Sequence, residues 1–313
     1  GQDGTFAGAK TAQGNSDDTG YGNFYYDPPT AFLALCSGNL PTAAEVDPAQ
    51  TDDNYPQELF FMSQYSGNLT NRTITTENQP DLIWNRHYTQ AQDWYVVDST
   101  RVITSNKYLL TNKADAEATL PQGNFTSVGA TSVGISSGSW LNSTGSYYQM
   151  WMWRANGGTT SSDTSGNITS VGQVDPSGCF SIFTYTGNGT AGQTVAHHLD
   201  QAPDLMIFKE RGNGNNWITV AGTPYMNTRY VNLDTTAVAN TGLYGGGRTF
   251  SSSAGASTFT LEGATEMNRS SGTYVGYGFS NCDGYIKIGE YVGNADADGP
   301  FVYTGFRPAM VIM

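Results

Sequence analysis

The chain has 313 residues, of which 38% are hydrophobic and 12% aromatic; that is enough apolar material for packed cores and excludes a disordered polypeptide. A formal net charge of −13 with only 13% charged residues excludes the basic stripe that nucleic-acid binding needs and disfavours anionic membranes. No stretch is long and apolar enough to read as a membrane-spanning helix, and the abundance of Gly, Tyr, Ser, Thr and Asn suits short strands joined by tight turns.

Residues 1–55 are turn-rich. They contain the pair Pro28-Pro29 and an apolar run over 31–36, which predicts a strand. An internal repeat begins after them. An alternating strand ends in Tyr65-x-Gly67-Asn68, and the same pattern returns at Tyr185-x-Gly187-Asn188 and Tyr291-x-Gly293-Asn294. Each is followed by a proline and a short apolar run, at Pro80, Pro203 and Pro308, as at the start of a buried strand. Trp94 and Trp217 each stand 14 residues after their proline. Each full copy closes on an aromatic strand, 147–153 and 273–279.

The expected fold is all-β: tandem antiparallel β-sandwich repeats of jelly-roll type. The expected division is an N-terminal extension over 1–55, one repeat over 56–158, a Ser/Thr/Gly-rich linker over 159–176, a second repeat over 177–283 and the truncated start of a third over 284–313. The expected core is Tyr65, Leu82, Trp84, Trp94, Trp151 and Trp153 in the first copy, with Tyr185, Leu205, Ile207, Trp217, Tyr277 and Phe279 as counterparts. No targeting segment is recognisable, and both ends are expected to be cut from a longer polypeptide.

Chemistry-bearing motifs are few. Gly134-x-Ser136-x-Gly138 matches a nucleophile elbow, but 139–145 carry no helix signal, so a hairpin turn is expected and no catalytic residue is assigned. His197-His198 would point to opposite faces of a strand, against joint metal binding. Asn294, Asp296 and Asp298, with Gly299, resemble the start of a calcium loop; the twelfth position is Gly305 rather than an acid, so a turn is expected and calcium is only a weak candidate. No other cofactor is expected. The carboxylate pairs Asp17-Asp18 and Asp52-Asp53 read as solvated turns. Cys36, Cys179 and Cys282 lack metal-ligand spacing; buried thiols are expected, with at most one internal disulfide. Seven Asn-x-Ser/Thr sites occur, among them Asn142 and Asn268, a number in keeping with the composition. Loop aromatics that could stack on sugar rings are Tyr25, Tyr26, Trp140, Tyr225 and Tyr244.

The segments 1–8, 21–29 and 284–308 give the sequence a specific resemblance. They are similar to repeat-bearing virion proteins of tailed bacteriophages, especially those of marine bacteria. The first segment resembles the closing strand of a SPRY-like, concanavalin-like lectin sandwich. The resemblance implies a structural protein of the virion surface and no enzyme: a tail-fibre or adhesin component that attaches to host-surface glycans. The alternatives are a capsid-decoration or other particle-stabilising protein, and a polysaccharide-degrading tail enzyme. Other copies of the chain and other virion proteins are the implied partners, with homo-oligomerisation expected and neither nucleic acid nor membrane insertion.

Overall fold

A computed structural model describes residues 3–4, 13–39, 55–120, 123–221, 230–237, 255–261, 263 and 265–313. The chain divides into two compact units, Gly1–Asp53 and Asn54–Met313.

In the first unit β1 (Asp3–Gly4) and β2 (Asn23–Phe24) pair in parallel. The run over 31–36 is not a strand. Phe32, Leu33 and Leu35 are exposed, and the chain turns at Ala31 with φ 73°. The reason lies in Asp17, which is buried rather than solvated. Its carboxylate accepts from the amides of Thr19, Tyr21 and Ala34, the Thr19 hydroxyl and the Asn39 amide group. Burial works against ionisation, but these donors together hold its carboxyl well below the usual carboxylate range. Five donors converging on one carboxylate bind the segment as a loop.

The second unit is all-β, built as two copies of one sandwich. The first copy runs α1 (Pro56–Leu59), β3 (Phe60–Ser66), β4 (Arg72–Thr75), β5 (Leu82–His87), β6 (Trp94–Asp98), β7 (Lys107–Leu110), β8 (Ala118–Thr119), β9 (Phe125–Gly129), β10 (Ser132–Ile135), α2 (Ser139–Asn142) and β11 (Tyr147–Trp153). A six-stranded sheet, β3-β11-β5-β6-β7-β8, faces a three-stranded sheet, β4-β10-β9. The second copy runs β12 (Ser161–Asp163), β13 (Ser170–Val174), β14 (Phe180–Thr186), β15 (Gln193–Ala196), β16 (Leu205–Glu210), β17 (Ile218–Ala221), β18 (Val231–Asn232), β19 (Thr258–Leu261), α3 (Thr265–Asn268) and β20 (Thr273–Phe279). Its sheets are β12-β13-β14-β20-β16-β17-β18 and β15-β19.

The copies match in hydrogen bonds as well as in strand order. Tyr65 OH donates to the Leu141 carbonyl at 2.7 Å, and Tyr185 OH to that of Met267 at 2.9 Å. Asn142 Oδ1 accepts from the Asn68 amide, and Asn268 Oδ1 from that of Asn188, both at 2.9 Å. Tyr65 stacks on Tyr148 at 5.0 Å and Tyr185 on Tyr274 at 4.9 Å. Gly67 and Gly187 are required by this knot, since a Cβ would sit 2.0 Å from the Ser143 carbonyl oxygen and 2.5 Å from that of Arg269. The repeated Tyr-x-Gly-Asn is therefore a strand end tied to a one-turn helix. Asn142 and Asn268 are fully buried in it, which removes both as glycan acceptors.

Three apolar cores follow from period-2 alternation. One face of β3, β5 and β11 supplies Phe61, Ile83, Met150 and Met152 to the core of the first sandwich. Phe183, Met206, Phe208 and Tyr274 do the same in the second. The opposite faces meet back to back: Leu82, Val96, Leu109 and Trp153 pack with Phe180, Ile182, Ile207, Trp217, Val275 and Tyr277. The order of layers is thus small sheet, large sheet, large sheet, small sheet.

The stretch 159–176 is not a linker. It forms β12 and β13, and β13 pairs with β14. Strand pairing overrides the Ser/Gly-rich composition because buried Gln173 is fully used. Its Nε2 donates to Ser99 and Thr100 Oγ of the first copy, and its Oε1 accepts from the amides of Asn156 and Gly158.

Residues 284–313 form no strand; they hold a bridge between Cys282 and Ile286, a few turns, and the side chains of Ile286 and Met310 against the core between the copies. The landmarks of a third copy are present, but among the described residues no neighbouring strand offers them a ladder, so their backbone groups stay out of sheet structure.

Candidate functional site

The register of the six-stranded sheet places its outward-facing residues in rows. Phe60, Trp153, Leu82 and Asp98 form one row, and Met62, Trp151, Trp84 and Val96 the next. Gln64, Gln149, Arg86 and Trp94 form a third. The first row lies in the core between the copies. Burial declines from row to row: Trp84, Trp94, Trp151 and Arg86 are half-buried, and Met62 and Gln64 exposed.

The tryptophans form one cluster. Trp94 and Trp151 lie 4.7 Å apart with an interplanar angle of 31°, and Trp84 meets both edge-on at 6.0–6.1 Å. Trp84 Nε1 is held by Thr111 Oγ1 at 3.0 Å. The Arg86 guanidinium lies 4.3 Å from the centre of the Trp94 ring, within cation–π range. Its Nε is buried without a hydrogen-bond partner. Tyr88 and Tyr147, partly exposed, pack on each other at 6.0 Å at the same end of β5 and β11.

This arrangement moves the aromatic candidates. Trp84 and Trp151, expected in the core, are half-buried and pack against the core between the copies, while Trp94, also expected in the core, lies half-buried beyond it on the sheet face. Trp140, expected as a sugar-stacking loop residue, packs instead against Tyr95 and Tyr108 at the first core. Tyr65, Trp153, Tyr185, Ile207, Trp217 and Tyr277 are buried, and Phe279 is half-buried against the core between the copies. Tyr26 is exposed and stacks edge-on with Tyr25 in the first unit. Tyr225, Tyr244, Asp52 and Asp53 lie outside the described residues. The signal for the face was present in β5, where Trp84 and Arg86 share one side. Asn85 and His87 on the other side masked it, because a polar pair does not read as core-facing.

The remaining motifs come apart in space. Strand β10 does lead through Ser136 into a helix, α2, contrary to expectation, but the helix is a single turn. Ser136 Oγ accepts from the Asn124 amide, and none of the hydrogen bonds of His197 and His198 goes to it. His197 Nε2 meets the Gly255 carbonyl, while His198 Nε2 lies 3.0 Å from Ser170 Oγ. The two rings are therefore committed to different partners. Ser170 is fully buried and donates to the Ala196 carbonyl, so its proton is not available to His198. Asn294 and Asp296 cap the amides of Asp296 and Asp298. Among the described residues no cluster of three or more His, Cys, Asp or Glu side chains is placed to hold a metal ion.

The corresponding face of the second copy is occupied differently. Lys209 takes the register position of Arg86, and Trp217 that of Trp94. Lys209 Nζ donates to the carbonyls of Ala114, Asn213 and Asn215 at 2.9, 3.3 and 2.5 Å. Burial lowers its pKa to about 8. Trp217 Nε1 donates to the Leu110 carbonyl at 2.7 Å. Beside them Arg211 pairs with Glu117, which also meets Arg101. Further along, Val171, Thr184, Thr186, Arg211 and Thr273 line a shallow cleft of about 360 Å³.

A family model described as a domain of unknown function (DUF7483) matches residues 55–313. No curated protein and no solved structure matches the chain.

Proposed function

We propose the following reading for this chain, which belongs to the DUF7483 family of domains of unknown function: it is a virion-surface adhesin, of tail-fibre type, that binds acidic host-surface glycans through the tryptophan face of its first sandwich. The observation that carries the reading is the pairing of Trp94 and Trp151, half-buried and 4.7 Å apart on a sheet face, with the Arg86 guanidinium 4.3 Å from the Trp94 ring centre. Apolar faces of sugar rings pack on indole, and a carboxylate or sulfate on the ring would take the donors of Arg86. Gln64 and Gln149, in the same row, add polar groups for ring hydroxyls. The arrangement supports a binding role, since it brings together neither a nucleophile with a base nor two facing carboxylates. Other copies of the chain would multiply such weak contacts.

The test is a glycan array probed with the purified chain and with the variants Trp94→Ala, Trp151→Ala and Arg86→Ala. Binding to uronic-acid or sulfated glycans that all three variants lose supports the reading. Binding that survives all three, or no binding to any glycan, sinks it. Turnover of a polysaccharide by the wild-type chain would replace it with the enzyme reading.

A further inference from the structure

The entry to β14 and the exit from β20 bring two cysteines of the second copy together. Cys179 immediately precedes β14, and its carbonyl accepts from the Ser280 amide at 2.9 Å. Gln201 Nε2 spans the junction, 3.9 Å from Cys179 Sγ and 3.0 Å from the Asn281 carbonyl. Cys282 follows two residues after Ser280, so the register that pairs Phe180 with Phe279 carries it to the same end of the strand pair as Cys179. Both thiols are free, with Cys179 buried and Cys282 half-buried. Cys36 belongs to the first unit.

We propose that Cys179 and Cys282 are a disulfide-forming pair, a covalent latch that fastens the segment after β20 to the start of β14. The two thiols differ in the way such a step requires. Cys282 is the more accessible, while Cys179 is buried with its S–H donated to the Ser177 carbonyl at 3.3 Å; the pKa of Cys282 is lowered beside Cys179, whereas the Cys179 thiol is pushed up. Cys282 is therefore the attacking thiolate and Cys179 the resolving thiol. With a low-molecular-weight disulfide as oxidant, the Cys282 sulfur attacks one oxidant sulfur, its S–S bond breaks and one thiolate leaves. The Cys179 sulfur then attacks the Cys282 sulfur of the mixed disulfide and expels the second thiolate. The two protein thiol protons end on the two released thiols, and the oxidant is reduced by two electrons.

The latch closes outside a reducing compartment and stays open inside one. Its consequence is local to the core between the copies. Ile286 and Met310 of the following segment pack against that core, and the bridge from Cys282 to Ile286 is the main backbone link holding the start of the segment. A crosslink at Cys282 secures that start.

The experiment is native incubation of the full chain with oxidised glutathione, followed by thiol titration, peptide mapping and thermal unfolding. Titratable thiols should fall from three to one. A Cys179–Cys282 linked peptide should form and revert with dithiothreitol. The unfolding midpoint should rise by about 5–10 °C. Cys36→Ser should leave the linkage intact, and Cys282→Ser should abolish it and the thermal shift together. Three thiols remaining after treatment, glutathione persisting on Cys282 unresolved, or a linkage confined to Cys36 would each overturn the proposal. Mapping on the wild-type chain needs no variant to fold.

Discussion

Arg86 and Lys209 occupy one register position in two copies of the same sheet, and they have opposite fates. Lys209 is fully buried, with its ammonium seated in three carbonyl oxygens, one of them from the first copy. Arg86 is half-buried, rests on an indole and leaves its Nε without a partner. The difference comes from what covers each face. The end of β7 and the stretch that follows it lie over this face: the Leu110 carbonyl accepts from Trp217, the Ala114 carbonyl from Lys209 and the Glu117 carboxylate from Arg211. One cation is thereby made structural, and the other stays half-buried against an indole on the sheet face. A repeat preserves positions, while the packing of the copies decides what each position does.

Four measurements break or sharpen this comparison. The largest effect is expected at Lys209. Lys209→Met leaves three part-buried carbonyl groups without their donor and should destabilise the second unit by about 2–4 kcal/mol in denaturant unfolding, whereas Arg86→Met should change stability by less than about 1 kcal/mol. Equal losses at the two sites would remove the distinction between a structural and a ligand-facing cation. Next come Asn142→Ala and Asn268→Ala. Each removes the side chain that holds a strand end to its helix, and each should cost about 2–3 kcal/mol. Similar values in the two copies are the expectation where the repeat holds; a difference above about 1 kcal/mol would show the knots to be unequal.

Smaller effects belong to the tryptophan face. Trp94→Ala and Trp151→Ala should each weaken binding to an acidic glycan about 10-fold or more, a loss of roughly 1.4 kcal/mol. Arg86→Gln should flatten the salt dependence of that binding. Unchanged affinity in all three would leave the face without a role. The smallest effect is a pH dependence. His87 is buried against Tyr148 with both ring nitrogens unpartnered, and burial lowers its pKa. The unfolded chain then binds a proton more readily than the folded one. Stability is intact above the ordinary histidine pKa of about 6.5 and declines as pH falls below it. His87→Phe should reduce this acid-side decline relative to wild type. His197 and His198, whose pKa values are also lowered by burial, remain in both proteins and cancel in the difference.

Much of the fold was readable along the chain. The Tyr-x-Gly-Asn strand ends, the prolines before Leu82 and Leu205, and the closing aromatic strands mark equivalent places in both copies, because each does a local job that only those residue types can do. Glycine admits the carbonyl of Ser143 or Arg269, and asparagine caps the strand end. The tryptophans were harder to read. Alternation shows that Trp84 and Arg86 share a side of β5, yet each side of β5 carries both apolar and polar residues. The stretch 159–176 was misread because Ser and Gly give no apolar alternation, although its backbone completes a ladder. The apolar run over 31–36 and the landmarks after Tyr285 err the other way. Their patterns suit strands, but among the described residues no partner strand receives them.

The sequence by itself determined the two-copy all-β architecture and the residues that knot each strand to its helix, because those depend on contacts within one copy and on conformations that few residue types adopt. Only the tertiary structure decided which face of each large sheet is covered. That choice rests on how two sandwiches pack back to back and on where the stretch after β7 comes to lie, neither of which has a local signature. It separates a buried lysine from a half-buried arginine at one position of the repeat, and the proposed reading of the tryptophan face rests on it.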